Sequence, residues 1–166
     1  MKTKFVLIII LLAFTVTFAC RNTSEKRAEK IAEKIMEKAS GEEVDVNIDN
    51  ESFTIKTEDG TLTSNADDKK WPSEIPEEVP EFSFGSVEQV ISHDMNDGKM
   101  WTMMVEKVPG DVLTKYQKEL KKNGFTCNLV SHNNEEGMLS AEKGDINVAV
   151  MAAEGSASVS VAIEKK

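Results

Sequence analysis

The strictest pattern in this chain is the period of two in its last third. Ile146, Val148 and Val150 alternate with Asn147, Ala149 and Met151, and Val159, Val161 and Ile163 alternate with Ser158, Ser160 and Ala162. Successive side chains of a strand point to opposite faces, so this spacing commits both segments to β-structure with one buried face. Phe125 to His132 and Met138 to Lys143 also read as strands. Upstream, Val87 to Met95 and Met100 to Lys107 flank Asn96-Asp97-Gly98, a hairpin turn sequence. Between these groups Pro109-Gly110-Asp111 opens a helix with Leu113, Tyr116, Gln117 and Leu120 on one face. Asn123-Gly124 ends it, and Phe125 is set to make the contact just beyond. The order is ββα followed by two or three strands. The expectation is an α+β domain over residues 71–166: an antiparallel sheet of four to five strands with one helix packed on a face.

Three segments precede that unit. Over residues 21–40, Ala28, Ile31, Ala32, Ile35, Met36 and Ala39 recur at helical spacing, while Lys26, Lys30 and Lys34 each stand three residues before a glutamate. Residues 20–43 are therefore expected to form a charged stalk. Residues 44–70 follow as a β-hairpin, with Val44, Val46, Ile48, Phe53 and Ile55 on alternating positions, and a polar linker, SNADDKK. The linker leads into WPSEIPEEVPEF, where Pro72, Pro76 and Pro80 fall every fourth residue and exclude an ordinary helix. An extended, polyproline-like strap is expected there, with Trp71, Ile75, Val79 and Phe82 dropping onto the domain.

The N-terminus has the three parts of a secretory leader: Lys2 and Lys4, the apolar run from Phe5 to Phe18, and small Ala19 before Cys20. That run is shorter than the ~20 residues needed to span a bilayer. Residues 1–19 are expected to be a signal peptide. Cys20 is then either a lipid-attachment residue, carrying a palmitate-type acyl chain, or the residue after an ordinary cleavage site, for which Thr17 and Ala19 are also suited. The chain holds two cysteines, so lipid on Cys20 would leave Cys127 a single thiol. The formal charge is −9, and loss of a leader bearing two lysines and no acid makes the remainder more negative still. Such a chain is repelled by phosphate backbones, so nucleic acid is not an expected partner.

Motifs of catalysis and metal binding fail on inspection. Asp45, Asn47 and Asp49 open like a calcium loop, but Asn50 stands where glycine is needed and Lys56 where a glutamate is needed. Asp94, Asn96 and Gly98 fail likewise, with Val105 at the twelfth position. His93, Cys127 and His132 are the soft-ligand candidates, yet Cys127 and His132 are five apart on one strand and point to opposite faces. Ser140 and Lys143 fit S-x-x-K, a motif that acts from a helix, but here it lies on a strand. No catalytic residue, metal or cofactor is expected, and the chain reads as a non-enzyme. Met95, Met100, Met103 and Met104 form a methionine-rich stretch. Met103 shares a face with Trp101 and Val105, whereas Met100 and Met104 lie on the other, where they either pack under the strap or make an apolar patch.

The lipobox-like Cys20, the AEKIAEKIMEKASGEEVDVNID segment, FTIKTEDG, WPSEIPEEVPEF and YQKELKKNGF together resemble a group of uncharacterised bacterial lipoproteins. The resemblance covers nearly the whole chain. It implies export, attachment to a membrane through Cys20 and a small domain facing the periplasm or cell exterior, and it transfers no active residue. The expected function is a non-enzymatic envelope lipoprotein that binds a protein partner. Trp71, Met100 and Met104 are the candidate interaction surface. A small-ligand-binding protein is the alternative, and a small hydrolase a third reading.

Overall fold

The computed structural model describes residues 30, 32–37, 43–49, 52–65, 67–131 and 136–165. The leader, Cys20 and His132 fall outside the described residues. Nine strands form one sheet: β1 (Asp45–Asp49), β2 (Ser52–Thr57), β3 (Gly60–Asn65), β4 (Ser86–Met95), β5 (Gly98–Glu106), β6 (Thr126–Ser131), β7 (Gly137–Lys143), β8 (Ile146–Ala153) and β9 (Ser156–Glu164). Helix α1 covers residues 32–37, and α2 runs Val112–Lys122. No helix among the described residues is long and apolar enough to cross a membrane.

The strand order is β1-β2-β3-β4-β5-β9-β8-β7-β6, antiparallel throughout. The first five strands make one meander. The last four make a second that returns on itself, so that β9 closes against β5 and β6 becomes an outer edge. Tight turns set these registers. Ala153 pairs with Ser156 across Glu154-Gly155, and both turn residues have positive φ, 48° and 78°. That is the type I′ geometry whose twist matches the strands it joins.

This architecture corrects the expected α+β fold with a four- to five-stranded sheet. Over the described residues the protein is mostly β, one nine-stranded antiparallel sheet with two short helices. The expectation fails because the segment read as a preceding hairpin joins the main sheet: β3 pairs with β4 from Gly60–Met95 to Asn65–Val90. Ser64 and Asn65, read as linker, complete β3. Ser64 is buried there because its hydroxyl donates to Val90 O (3.4 Å) and accepts from Gln89 Nε2 (3.0 Å).

The main core lies on one face of the second meander. Trp101, Met103 and Val105 of β5 meet Val159 and Val161 of β9, Val148 and Val150 of β8 and Leu139 of β7. Helix α2 adds Val112, Leu113, Tyr116 and Leu120. Its end is fixed by Gly124 at φ 85° and by the Phe125 N–H, which donates to Leu120 O (3.0 Å), the six-residue closure of a Schellman motif.

The strap buries Ile75, Val79 and Phe82, but it is not extended. Ile75 N–H donates to Pro72 O (3.2 Å) and Val79 N–H to Pro76 O (2.9 Å), two successive turns in place of a polyproline helix. A proline lacks the donor but keeps its carbonyl, so each one can accept the bond that closes the turn it begins. Phe82 packs edge-to-face on Tyr116 at 5.0 Å, and Tyr116 O–H donates to Pro80 O at 2.8 Å.

Candidate functional site

The strand registers define three rows of side chains on the face away from the strap and α2. Met104, Ser158, Met151 and Met138 are directly opposed across β5, β9, β8 and β7. Thr102, Ser160, Ala149, Ser140 and Asn128 make the next row, and Met100, Ala162, Asn147, Glu142 and Thr126 the third. Their alternation with the core residues aims them outward. Because most of their side chains are small, the second and third rows form a shallow groove of about 500 Å³, beside which the methionine row stands. Thr102 Oγ1 and Ser160 Oγ share a hydrogen bond of 3.1 Å along its side.

Two properties set this surface apart. Among its fourteen positions only Glu142 is charged, against 30% of the whole chain. Met138 and Met151 are directly paired and 50% and 61% exposed, an apolar area with nothing from the described residues over it. Depletion of charge with enrichment of methionine is the compositional mark of the centre of a protein interface.

Met100 and Met104 lie in this surface, half-buried, so they form part of an apolar patch and do not pack under the strap. Trp71 is on the other side of the sheet, partly buried against the main core. The structure thus joins two of the three expected surface residues and separates the third. Met138 and Met151 were missed. Their alternation against Leu139, Val150 and Ala152 marked them as outward-facing, but only the β7–β8 pairing makes them neighbours.

The remaining chemical candidates do not converge. Ser140 faces the open groove while Lys143, three residues along the strand, binds Glu78 Oε1 at 3.1 Å on the strap. Cys127 is half-buried, its thiol 3.8 Å from Phe125 O, and burial pushes its pKa up against the pull of Lys121, which favours the thiol over the thiolate. His93 opposes Met100 at the border of the groove. Burial lowers its pKa despite Asp94, Asp59 and Asp97 nearby. Among the described residues no three His, Cys, Asp or Glu side chains are grouped to hold a metal. No protein-family model matches the chain, and no curated protein or solved structure matches it.

Proposed function

We propose that this protein is an exported envelope lipoprotein, tethered by lipid on Cys20, whose nine-stranded domain is a non-enzymatic module that binds a protein partner through its open sheet face. The observation that carries the reading is the three-row surface around Met104, Met138 and Met151, nearly free of charge in a strongly acidic chain. Methionine side chains are unbranched and adaptable, so they can fill an irregular partner surface. The apolar leader and the lipobox-like position of Cys20 support export and a lipid tether. The excess of acid supports a partner other than nucleic acid.

Crosslinking in intact cells tests the binding face, comparing the natural chain with a Met138→Ser, Met151→Ser double variant. Both residues are exposed, so folding should change by no more than about 0.5 kcal/mol. A specific crosslinked protein that disappears in the double variant, with an unchanged thermal midpoint, supports the reading. Recovery of the same protein by both chains removes the open face from it. The mass of the mature N-terminal peptide tests the tether separately, and an unmodified Cys20 would make the protein a soluble exported one.

A further inference from the structure

Strands β5 to β9 carry five charged side chains, and the sheet sorts them by sign. Lys99 and Lys143 fall on the strap face, and each is bound to a carboxylate there. Lys99 Nζ meets Glu74 Oε2 (2.9 Å) and Asp94 Oδ2 (3.2 Å), and Lys143 Nζ meets Glu78 Oε1 (3.1 Å). Glu106, Glu142 and Glu164 fall on the open face, and all three are exposed. Among the described residues, no lysine or arginine lies within salt-bridge distance of any of them. Lys107 and Lys165 follow at the strand ends, but Lys165 Nζ turns to Met95 O (3.3 Å).

The registers set these acids around the apolar rows. Glu106 pairs with Ser156 one step beyond the methionine row, beside the turn that holds exposed Glu154. Glu164 pairs with Gly98 one step beyond the row of Met100, and Glu142 stands within that row on β7. From Glu106 to Gly98 along β5 is about 26 Å at the rise of a strand. The face is therefore apolar across its middle and negative at both ends.

That pattern selects among occupants. A second copy of this chain would set acid against acid at both ends, whichever way it turned. The chain's own α1 is tied to β1 through Glu33, at the other edge of the sheet. An extended segment joins a sheet by its edge, and the backbones of β5, β9, β8 and β7 are already engaged by a neighbour on each side. A helix satisfies its own backbone and can bury an apolar stripe on a sheet face. Spanning this face takes about 18 helical residues.

We propose that the open face takes an amphipathic helix of a partner protein, apolar along one stripe and cationic at both ends. Its stripe lies on the methionine row and the groove, and its lysines or arginines meet Glu106 and Glu164, with Glu142 receiving a further donor at the side. This rests on the reading of the open face as a protein-binding surface and adds the chemistry of what binds. The methionines and small residues supply the contact, while the acids steer the approach and reject acidic helices with the same stripe.

The test is an NMR titration of the purified chain at low salt, read from the methyl signals of Met138 and Met151 and from backbone amides of β7 and β8. The probes are two synthetic peptides of about 18 residues with one leucine and methionine stripe, the first with lysines at both ends and the second with glutamates. The lysine peptide should saturate the signals with a midpoint on the order of 10–100 µM. The glutamate peptide should bind at least about tenfold more weakly. Glu106→Gln, Glu142→Gln and Glu164→Gln together should weaken the lysine peptide about tenfold, and about 0.5 M salt should do the same to the natural chain. If both peptides bind alike, and both are lost in the Met138→Ser, Met151→Ser variant, the open face stands as a docking surface and its selection of cations is overturned. If the lysine peptide binds that variant as tightly as the natural chain, the attraction belongs to the acidic chain at large, and the docked helix is overturned. Silence of both peptides up to about 1 mM overturns the helix as well, and the crosslinking in cells then judges the open face by itself.

Discussion

Two areas of the sheet have none of the described residues over them, and they differ in kind. On the strap side of the first meander, the uncovered rows are Asn47 and Thr54, with Asp45, Lys56 and Thr61 beside them. These are threonines, amides and opposed charges, a surface made to be wet. On the other side of the second meander, the uncovered rows hold methionine, alanine and serine with one carboxylate. The apolar face has changed sides between the two. Val46, Ile55 and Leu62 belong to the same row as Met100, Ala162 and Asn147, and the change falls at β4, where His93 sits between Leu62 and Met100. One continuous sheet therefore supports two separate packed faces. The first meander offers an internal comparison for the second: strand residues with none of the described residues over them are polar and charged in the one and mostly small or apolar in the other.

Unequal cores should respond unequally to truncation. Leu139 is fully buried between α2 and the sheet, and Leu139→Ala should cost about 2–5 kcal/mol of global stability in urea unfolding. Val46 is buried on an outer strand whose N–H is held by Glu33 Oε1 of α1 at 3.5 Å. Val46→Ala should cost about 1–2 kcal/mol. It should act as a local opening, speeding hydrogen exchange in β1 and β2 before β8. If β8 amides accelerate as much as those of β1, the two packed faces unfold as one and the division into halves fails.

The seam between the meanders can be strained directly. Gly98 lies where β5 crosses close to β9, and a Cβ there would overlap the Ile163 carbonyl oxygen. Gly98→Ala should separate the ends of these strands and cost about 1–3 kcal/mol, a typical range for overpacking. Hydrogen exchange should localise the loss to β5 and β9. An unchanged urea midpoint would mean that the seam tolerates a wider spacing than the structure has.

What was legible in the sequence follows the same division. The faces of β8 and β9 could be read because their alternation is unbroken, and Met103 could be told from Met100 and Met104 by parity alone. β3 was lost because GTLTSN offers a single apolar residue, and Ser64 is buried through hydrogen bonds to β4 that no local pattern announces. The sheet order failed for a related reason. Whether β9 closes on β5 or lies elsewhere depends on long-range register, which local periodicity does not carry. The proline spacing revealed a strap and the residues it buries, but not the turns that Pro72 and Pro76 close.

The border itself offers the smallest and most specific effect. Burial lowers the pKa of His93 below its ordinary 6.5, outweighing the opposing pull of Asp94, Asp59 and Asp97. In the unfolded chain the imidazole takes up a proton near 6.5, before the folded chain does. Stability is therefore complete above that value and falls as the pH drops through it towards the lower folded pKa. His93→Gln should flatten this part of the profile, because glutamine has no charge to gain. The measurement is the urea midpoint of both chains between about pH 5 and 8, so that contributions from other titrating groups cancel in the difference. The difference should grow below about pH 6.5 in favour of the variant. Parallel profiles would show that His93 is no less hydrated than in the unfolded chain, and that the border between the packed face of the first meander and the open face of the second is wet.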